Sequence, residues 1–173
     1  MSHWPADEIR SVPVERLDER FRRYRLVDAG AERAVRRSLE RYGQLASIVV
    51  WEQDEDLVLI DGFKRLQAAR TLKGMESLAA RCLEVDAQGA KAAIYTLNRL
   101  SRPPQELEEA WIVHALVRED GLSQVDAGAL LGRHKSWVNR RLAMWERLAE
   151  PPPRVFRHAR GWQRLPGPHR HRR

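Results

Sequence analysis

The sequence predicts an α+β protein: a small α/β domain over residues 10–101, an all-α helix-turn-helix unit over residues 105–150, and a basic disordered tail over residues 151–173. Three observations carry that prediction. Short β-rich apolar runs alternate with helical periodicity before Pro103 and Pro104, only helical periodicity follows them, and periodic apolar content vanishes after Pro153.

VPVERL at 12–17 alternates apolar residues with Pro13 early, which fits an edge strand because proline cannot donate to a ladder. Residues 31–42 place Ala31, Ala34, Val35, Leu39 and Tyr42 at helical spacing, leave Arg33, Arg36, Arg37 and Glu40 for the wet face, and stop at Gly43. SIVVW at 47–51 and LVLI at 57–60, separated by acidic EQDED, form a β-hairpin pattern. Asp61-Gly62 closes the second run, and residues 63–72 return to helical spacing through Leu66, Ala69 and Leu72. Strand, glycine turn and helix start in that order suit an anion, because backbone N–H groups stand beside Lys64 and Arg65. LAARCLEV at 78–85 fits a further strand, although its alanines also permit a helix; residues 87–100 are helical, and Pro103-Pro104 marks the boundary between the two units.

Residues 105–117 carry a helical apolar stripe through Leu107, Ala110, Trp111, His114, Ala115 and Leu116, ended by Glu119-Asp120-Gly121. Ser123 is a good N-cap for a second helix running to Leu131, Gly132-Arg133 makes a turn, and a third helix covers 135–148 before Pro151, Pro152 and Pro153. The run SQVDAGALLGRHKSWVNRRLAMW thus supplies what a helix-turn-helix requires: small Ala127 and Gly128 where helices cross, Gly132 at the turn, and Leu130, Leu131, Val138 and Leu142 facing inward. Its outer face offers His134, Lys135, Ser136, Asn139, Arg140 and Arg141 as candidate DNA-binding residues. Asparagine pairs with adenine and arginine with guanine in the major groove, whereas Lys135 and Arg141 suit phosphates. Trp137 and Trp145 are assigned to packing.

Charge is distributed unevenly. The net +7 equals the seven arginines of residues 151–173, which no acid opposes, so the rest of the chain balances. Within residues 121–147, five Lys and Arg face only Asp126 and Glu146, the local excess that phosphate contact needs. With 43% hydrophobic and 32% charged residues the composition is that of a globular protein. No apolar run approaches the ~20 residues that cross a bilayer, and the N-terminus lacks the basic-then-apolar order of a secretion signal, so a cytoplasmic location without membrane contact is expected. The single Cys82 excludes an internal disulfide and a multi-thiolate metal site, and fits a small buried apolar position.

The order of these motifs resembles the ParB family of plasmid and chromosome partition proteins. The helix ending in Gly43-Gln44, the strands SIVVW and LVLIDG, the GFKRLQAAR segment, Asn98, and a helix-turn-helix with GLSQ carry the resemblance over about residues 10–150. It implies a ParB-like N-terminal domain that binds cytidine triphosphate (CTP) with magnesium, and a second domain that binds a palindromic centromere-like site in double-stranded DNA. A partition ATPase and a homodimer are further partners it implies, in partition or mobile-element settings. Carried over residue by residue, it makes Gly62, Lys64, Arg65 and Asn98 the nucleotide-binding candidates.

The match is incomplete there. The family's GERRxR becomes Gly62, Phe63, Lys64, Arg65, Leu66, Gln67, so the glutamate and the last arginine are absent. Its ENxxR becomes Leu97, Asn98, Arg99, Leu100, Ser101, with Arg102 one place late. A magnesium-triphosphate site needs hard oxygen ligands, and these changes remove the obvious carboxylates, so no catalytic residue is assigned and the balance leans away from an enzyme. Sulfiredoxin-like members need a cysteine beside the glycine turn, where Cys82 does not lie. The Arg- and His-rich tail replaces the family's later helices and dimerising domain and adds salt-sensitive DNA affinity. The leading expectation is a non-enzymatic DNA-binding protein of partition or regulatory type; the alternative is a CTP-binding or CTP-hydrolysing switch.

Overall fold

A computed structural model of the chain describes residues 8–101 and 105–148. The Pro103-Pro104 boundary, the Pro151–Pro153 stop and the expected disordered tail lie outside the described residues. The architecture is α+β, with five strands in one mixed sheet and six α-helices.

Strands β3 (Ile48–Gln53) and β4 (Asp56–Asp61) pair antiparallel with Gln53 opposite Asp56, so Asp54 and Glu55 make a two-residue turn. Asp54 takes φ 55°, a left-handed conformation that aspartate tolerates better than most residues. Ile48, Val49, Val50 and Trp51 in β3 and Leu57, Val58, Leu59 and Ile60 in β4 are buried without alternation, as strands covered on both faces must be. Strand β5 (Ser77–Leu83) instead alternates, turning Leu78, Ala80 and Cys82 inward. It runs parallel to β3, which resolves the segment at 78–85 as strand rather than helix.

The edge strand expected at 12–17 is in fact two strands. β1 (Ile9–Pro13) pairs antiparallel with β5, a one-turn 3-10 helix covers Val14–Arg16, and β2 (Leu17–Asp18) pairs parallel with β4. The sheet order β1-β5-β3-β4-β2 puts β1 and β2 on opposite edges. In a flat sheet those edges would stand about 19 Å apart at ~4.8 Å per gap. The chain from Pro13 to Leu17 reaches at most about 14 Å, so the sheet curls and its edges approach each other.

Helix α1 (Ala29–Tyr42) starts at Asp28, whose carboxylate accepts from Ala31 N–H at 3.0 Å, and stops at Gly43 with φ 68°. Helix α2 (Phe63–Ala69) ends earlier than expected, because Thr71 and Leu72 N–H bond back to Ala68 and Ala69 and tighten the last turn. Helix α3 (Ala87–Ser101) leads to α4 (Glu106–His114), which widens into a π-helical turn at Ala115–Glu119 instead of continuing as one α-helix to 117. Helices α5 (Gln124–Leu131) and α6 (Lys135–Arg147) follow.

One continuous cluster of buried apolar residues runs from Val12 in β1 to Leu142 in α6. Polar ties reinforce it. Lys91 in α3 holds both carboxylate oxygens of Asp120 at 2.5 and 2.7 Å, Leu26 N–H donates to Glu108 in α4 at 2.7 Å, and Arg133 Nε donates to the Tyr95 hydroxyl at 2.5 Å. Helices α4–α6 therefore stand on the α/β layer at fixed positions. Among the described residues, no helix is long and apolar enough to cross a membrane.

Candidate nucleic-acid interface

The corner between α5 and α6 is built by two glycines. Gly132 ends α5 at φ 62° and ψ 39°, the left-handed cap that glycine adopts without Cβ strain. Gly128 is buried where the turn folds back: Arg133 N–H donates to the Gly128 carbonyl at 2.7 Å. A Cβ on Gly128 would lie 2.6 Å from the Arg133 carbonyl oxygen. Glycine is thus required by close approach, while Ala127, Leu131, Val138 and Leu142 close the interior below it.

Both helix starts are capped by side chains. Ser123 Oγ accepts from Asp126 N–H at 3.1 Å and donates to the Asp126 carboxylate at 2.5 Å. His134 Nδ1 accepts from Ser136 N–H at 3.2 Å and lies 2.9 Å from Ser136 Oγ. Between these two starts opens a concave groove of about 590 Å³, lined by Ser123, Gln124, Val125, His134, Lys135, Ser136 and Asn139. Four of the six residues expected to touch DNA therefore share one concave surface, and Arg140 is exposed beside Asn139. Among the described residues Lys135 and Arg140 make no ion pair, so their charge faces solvent. Ser123, Gln124 and Val125 are groove residues that the sequence marked only as a helix cap and its first turn.

Arg141 stands apart from that group. Its side chain is only 15% exposed, its Nε donates to Glu109 at 2.8 Å, its Nη2 lies 3.1 Å from Glu106, and its guanidinium covers the Trp137 ring at 5.2 Å. It braces α6 against α4. Trp137 meets Tyr95 edge to face at 5.7 Å, and Trp145 rests on His114 at 5.0 Å, so both indoles pack within the helical unit.

The second candidate group surrounds the β4–α2 corner. Gly62 holds φ 109°, and a Cβ there would lie 2.5 Å from Ile48 Cγ2. Arg65 is committed to the scaffold: Nη1 donates to the carbonyls of Ala46 at 2.7 Å and Ser47 at 2.6 Å, and Nη2 pairs with Asp61 at 2.6 Å. Phe63, standing where the family motif has glutamate, is buried at 3% exposure. Lys64 is half-buried and makes no ion pair among the described residues; Asn98 is buried far along α3. The arrangement does not suit a magnesium triphosphate, since the one carboxylate at the corner, Asp61, already neutralises Arg65. Cys82 is not poised for chemistry, because burial pushes its thiol pKa up and so disfavours the reactive thiolate.

Comparison with known proteins gives the fold a relative. A Pnob8-like ParB-N domain in its C2221 form superposes with a TM-score of 0.58 at 17% identity, covering 80% of this chain and 70% of that one. The fold is ParB-N-like. A second pNOB8-like ParB N-domain matches the ParB-N-like chain with a TM-score of 0.55 at 17% identity, covering 80% of this chain and 66% of its own. An 80% share exceeds what residues up to Ser101 supply, so the likeness runs on into the helices after α3. The C-terminally truncated chromosome-partitioning protein ParB from Caulobacter crescentus, complexed with CTP-gamma-S, matches more loosely, with a TM-score of 0.49 at 19% identity over 80% of this chain and 79% of its own. No protein-family model and no curated protein matches the sequence.

Proposed function

We propose that the chain is a DNA-binding protein of partition or regulatory type that recognises duplex DNA through α5 and α6 acting as a helix-turn-helix. The observation that carries this reading is the coincidence at one corner. Two glycines fix a tight helix crossing, and the groove it opens is lined by His134, Lys135, Ser136 and Asn139, with exposed Arg140 alongside. A recognition helix presents its first turns to base edges, where Asn139 has the donor and acceptor pair that reads adenine and Arg140 the fork that reads guanine. Lys135 and the N–H groups of the α6 start serve phosphates. The ParB-N-like fold supports the partition class, and a second copy, a partition ATPase and a cytoplasmic location belong to the same reading.

The test is selection of bound duplexes from a random library, followed by affinity measurement for the wild-type chain and for Lys135→Ala/Arg140→Ala. Loss of the selected-site preference, with a salt slope smaller by about 1.8 for two lost phosphate-type contacts, is expected. Unchanged affinity at two salt concentrations removes α6 from the account. The alternative, a CTP-driven switch at Gly62, Lys64, Arg65 and Asn98, finds less support in the geometry, because Arg65 and Asp61 already satisfy one another.

A further inference from the structure

Exposed arginine in this protein is usually paired. Arg10 meets Glu8 at 2.7 Å, Arg20 meets Asp18 and Asp56 at 2.5 Å each, Arg23 meets Glu119 at 2.6 Å, and Arg118 meets Glu146 at 2.7 Å. Helix α1 breaks that habit. Arg33, Arg36, Arg37 and Arg41 are all exposed, and among the described residues none of them forms an ion pair. Glu32, the acid that would offset them at the start of the helix, is drawn away by Arg22 at 2.8 Å. Only Leu39 of α1 is buried, so the helix presents most of its surface to solvent.

We infer that α1 is a second DNA-contacting surface, a phosphate-binding stripe separate from the groove of α5 and α6. Arg33, Arg37 and Arg41 repeat at four-residue intervals, which places them in one row along about 12 Å of helix. Duplex DNA carries a phosphate per strand every ~3.4 Å of its axis, so the row matches about three to four successive steps. Like charges at that spacing repel one another on an isolated helix, and a polyanion removes the repulsion. Guanidinium forks rather than ammonium groups suit repeated phosphate oxygens. Both basic helices share one footing: Leu26, just before α1, bonds to Glu108, and Arg141 in α6 bonds to Glu109, the next residue of α4. A single extended polyanion therefore serves both surfaces better than a compact acidic peptide does. The stripe carries affinity without sequence preference, since arginine rows on a backbone read no bases.

This inference rests on the DNA-binding reading above, and one experiment separates the two. Binding of the full chain to a random duplex is followed by fluorescence anisotropy from about 50 to 200 mM salt. The wild type is compared with Arg33→Gln/Arg37→Gln/Arg41→Gln, with the triple lysine variant of the same positions, and with Lys135→Ala/Arg140→Ala. Glutamine keeps helix propensity, and circular dichroism checks that α1 survives. The glutamine variant is expected to lower the slope of log affinity against log salt by about 2.7, so that the wild type loses roughly 40-fold more affinity than the variant over that range. The lysine variant keeps the wild-type slope. A wild-type slope in the glutamine variant, with a reduced one in Lys135→Ala/Arg140→Ala, overturns the α1 stripe alone. No binding by the wild type overturns both.

Discussion

Replacing Gly128 with alanine puts a sign, not only a size, on the close crossing of α5 and α6. In an unhindered helix interior the change stabilises by about 1 kcal/mol, because glycine has that much more backbone freedom to lose. Here the new Cβ falls 2.6 Å from the Arg133 carbonyl oxygen and 3.5 Å from Val138 Cγ2. The nearer obstacle is backbone, fixed by the hydrogen bond from Arg133 N–H to the Gly128 carbonyl, so no side-chain rotation relieves it. Even a close carbon-oxygen contact needs about 3.3 Å, so the turn must move by more than half an ångström. Overpacking of that kind costs about 1–3 kcal/mol. Net of the propensity gain, Gly128→Ala should destabilise by about 1 kcal/mol, seen in urea as a lower midpoint at unchanged slope. The same shift carries His134, Lys135 and Asn139 with it, so DNA affinity should fall further than stability alone accounts for. A variant stabilised by about 1 kcal/mol would refute the close crossing and the groove built on it.

Two further outcomes follow from buried polar groups. Arg141→Met leaves the Glu109 side chain, 6% exposed, without its counter-charge. Removing one partner of a buried pair costs about 3–5 kcal/mol, so differential scanning calorimetry should show melting about 10 °C lower at this chain length, with recovery when Glu109 is also made apolar; a shift under a degree would return Arg141 to the solvent face. Burial pushes the Tyr24 hydroxyl pKa up to about 12 against neighbouring Arg23, which pulls it down. The folded chain therefore keeps a proton that the unfolded chain loses above pH 10, so stability falls between about pH 10 and 12, and Tyr24→Phe should flatten that alkaline limb in urea titrations; a limb of equal steepness would contradict the burial.

Elements defined by local pattern were legible in the sequence. The β3–β4 hairpin follows from two apolar runs and an acidic turn, the end of α1 from Gly43, and the start of α5 from the Ser123 cap. What escaped depends on partners remote in sequence. The alternation in VPVERL is real, but β1 takes its partner from β5 and β2 from β4, so a single local run serves two edges of a curled sheet. Periodicity alone puts Arg141 on the outer face of α6; Glu106 and Glu109, more than thirty residues earlier, draw it inward. The same limit applies to Arg65, whose acceptors are loop carbonyls at Ala46 and Ser47 that no motif announces. The π-helical turn after His114 has no counterpart in apolar spacing at all.

These corrections change the electrostatic argument. Of the five basic residues between Gly121 and Arg147, Arg133 is tied to Tyr95 and Arg141 to two carboxylates, which leaves Lys135 and Arg140 for the groove and Arg147 at the far end of α6. Two phosphate contacts give a salt slope of only about 1.8, whereas site-binding proteins draw on several more. Base reading by Asn139 and Arg140 therefore needs affinity supplied from elsewhere on the chain. Helix α1 holds four exposed arginines in a protein that otherwise pairs most of its arginine, and it stands on the same turn of α4 that anchors α6. Specificity from one helix and non-specific grip from another is the division of labour that this distribution of charge favours.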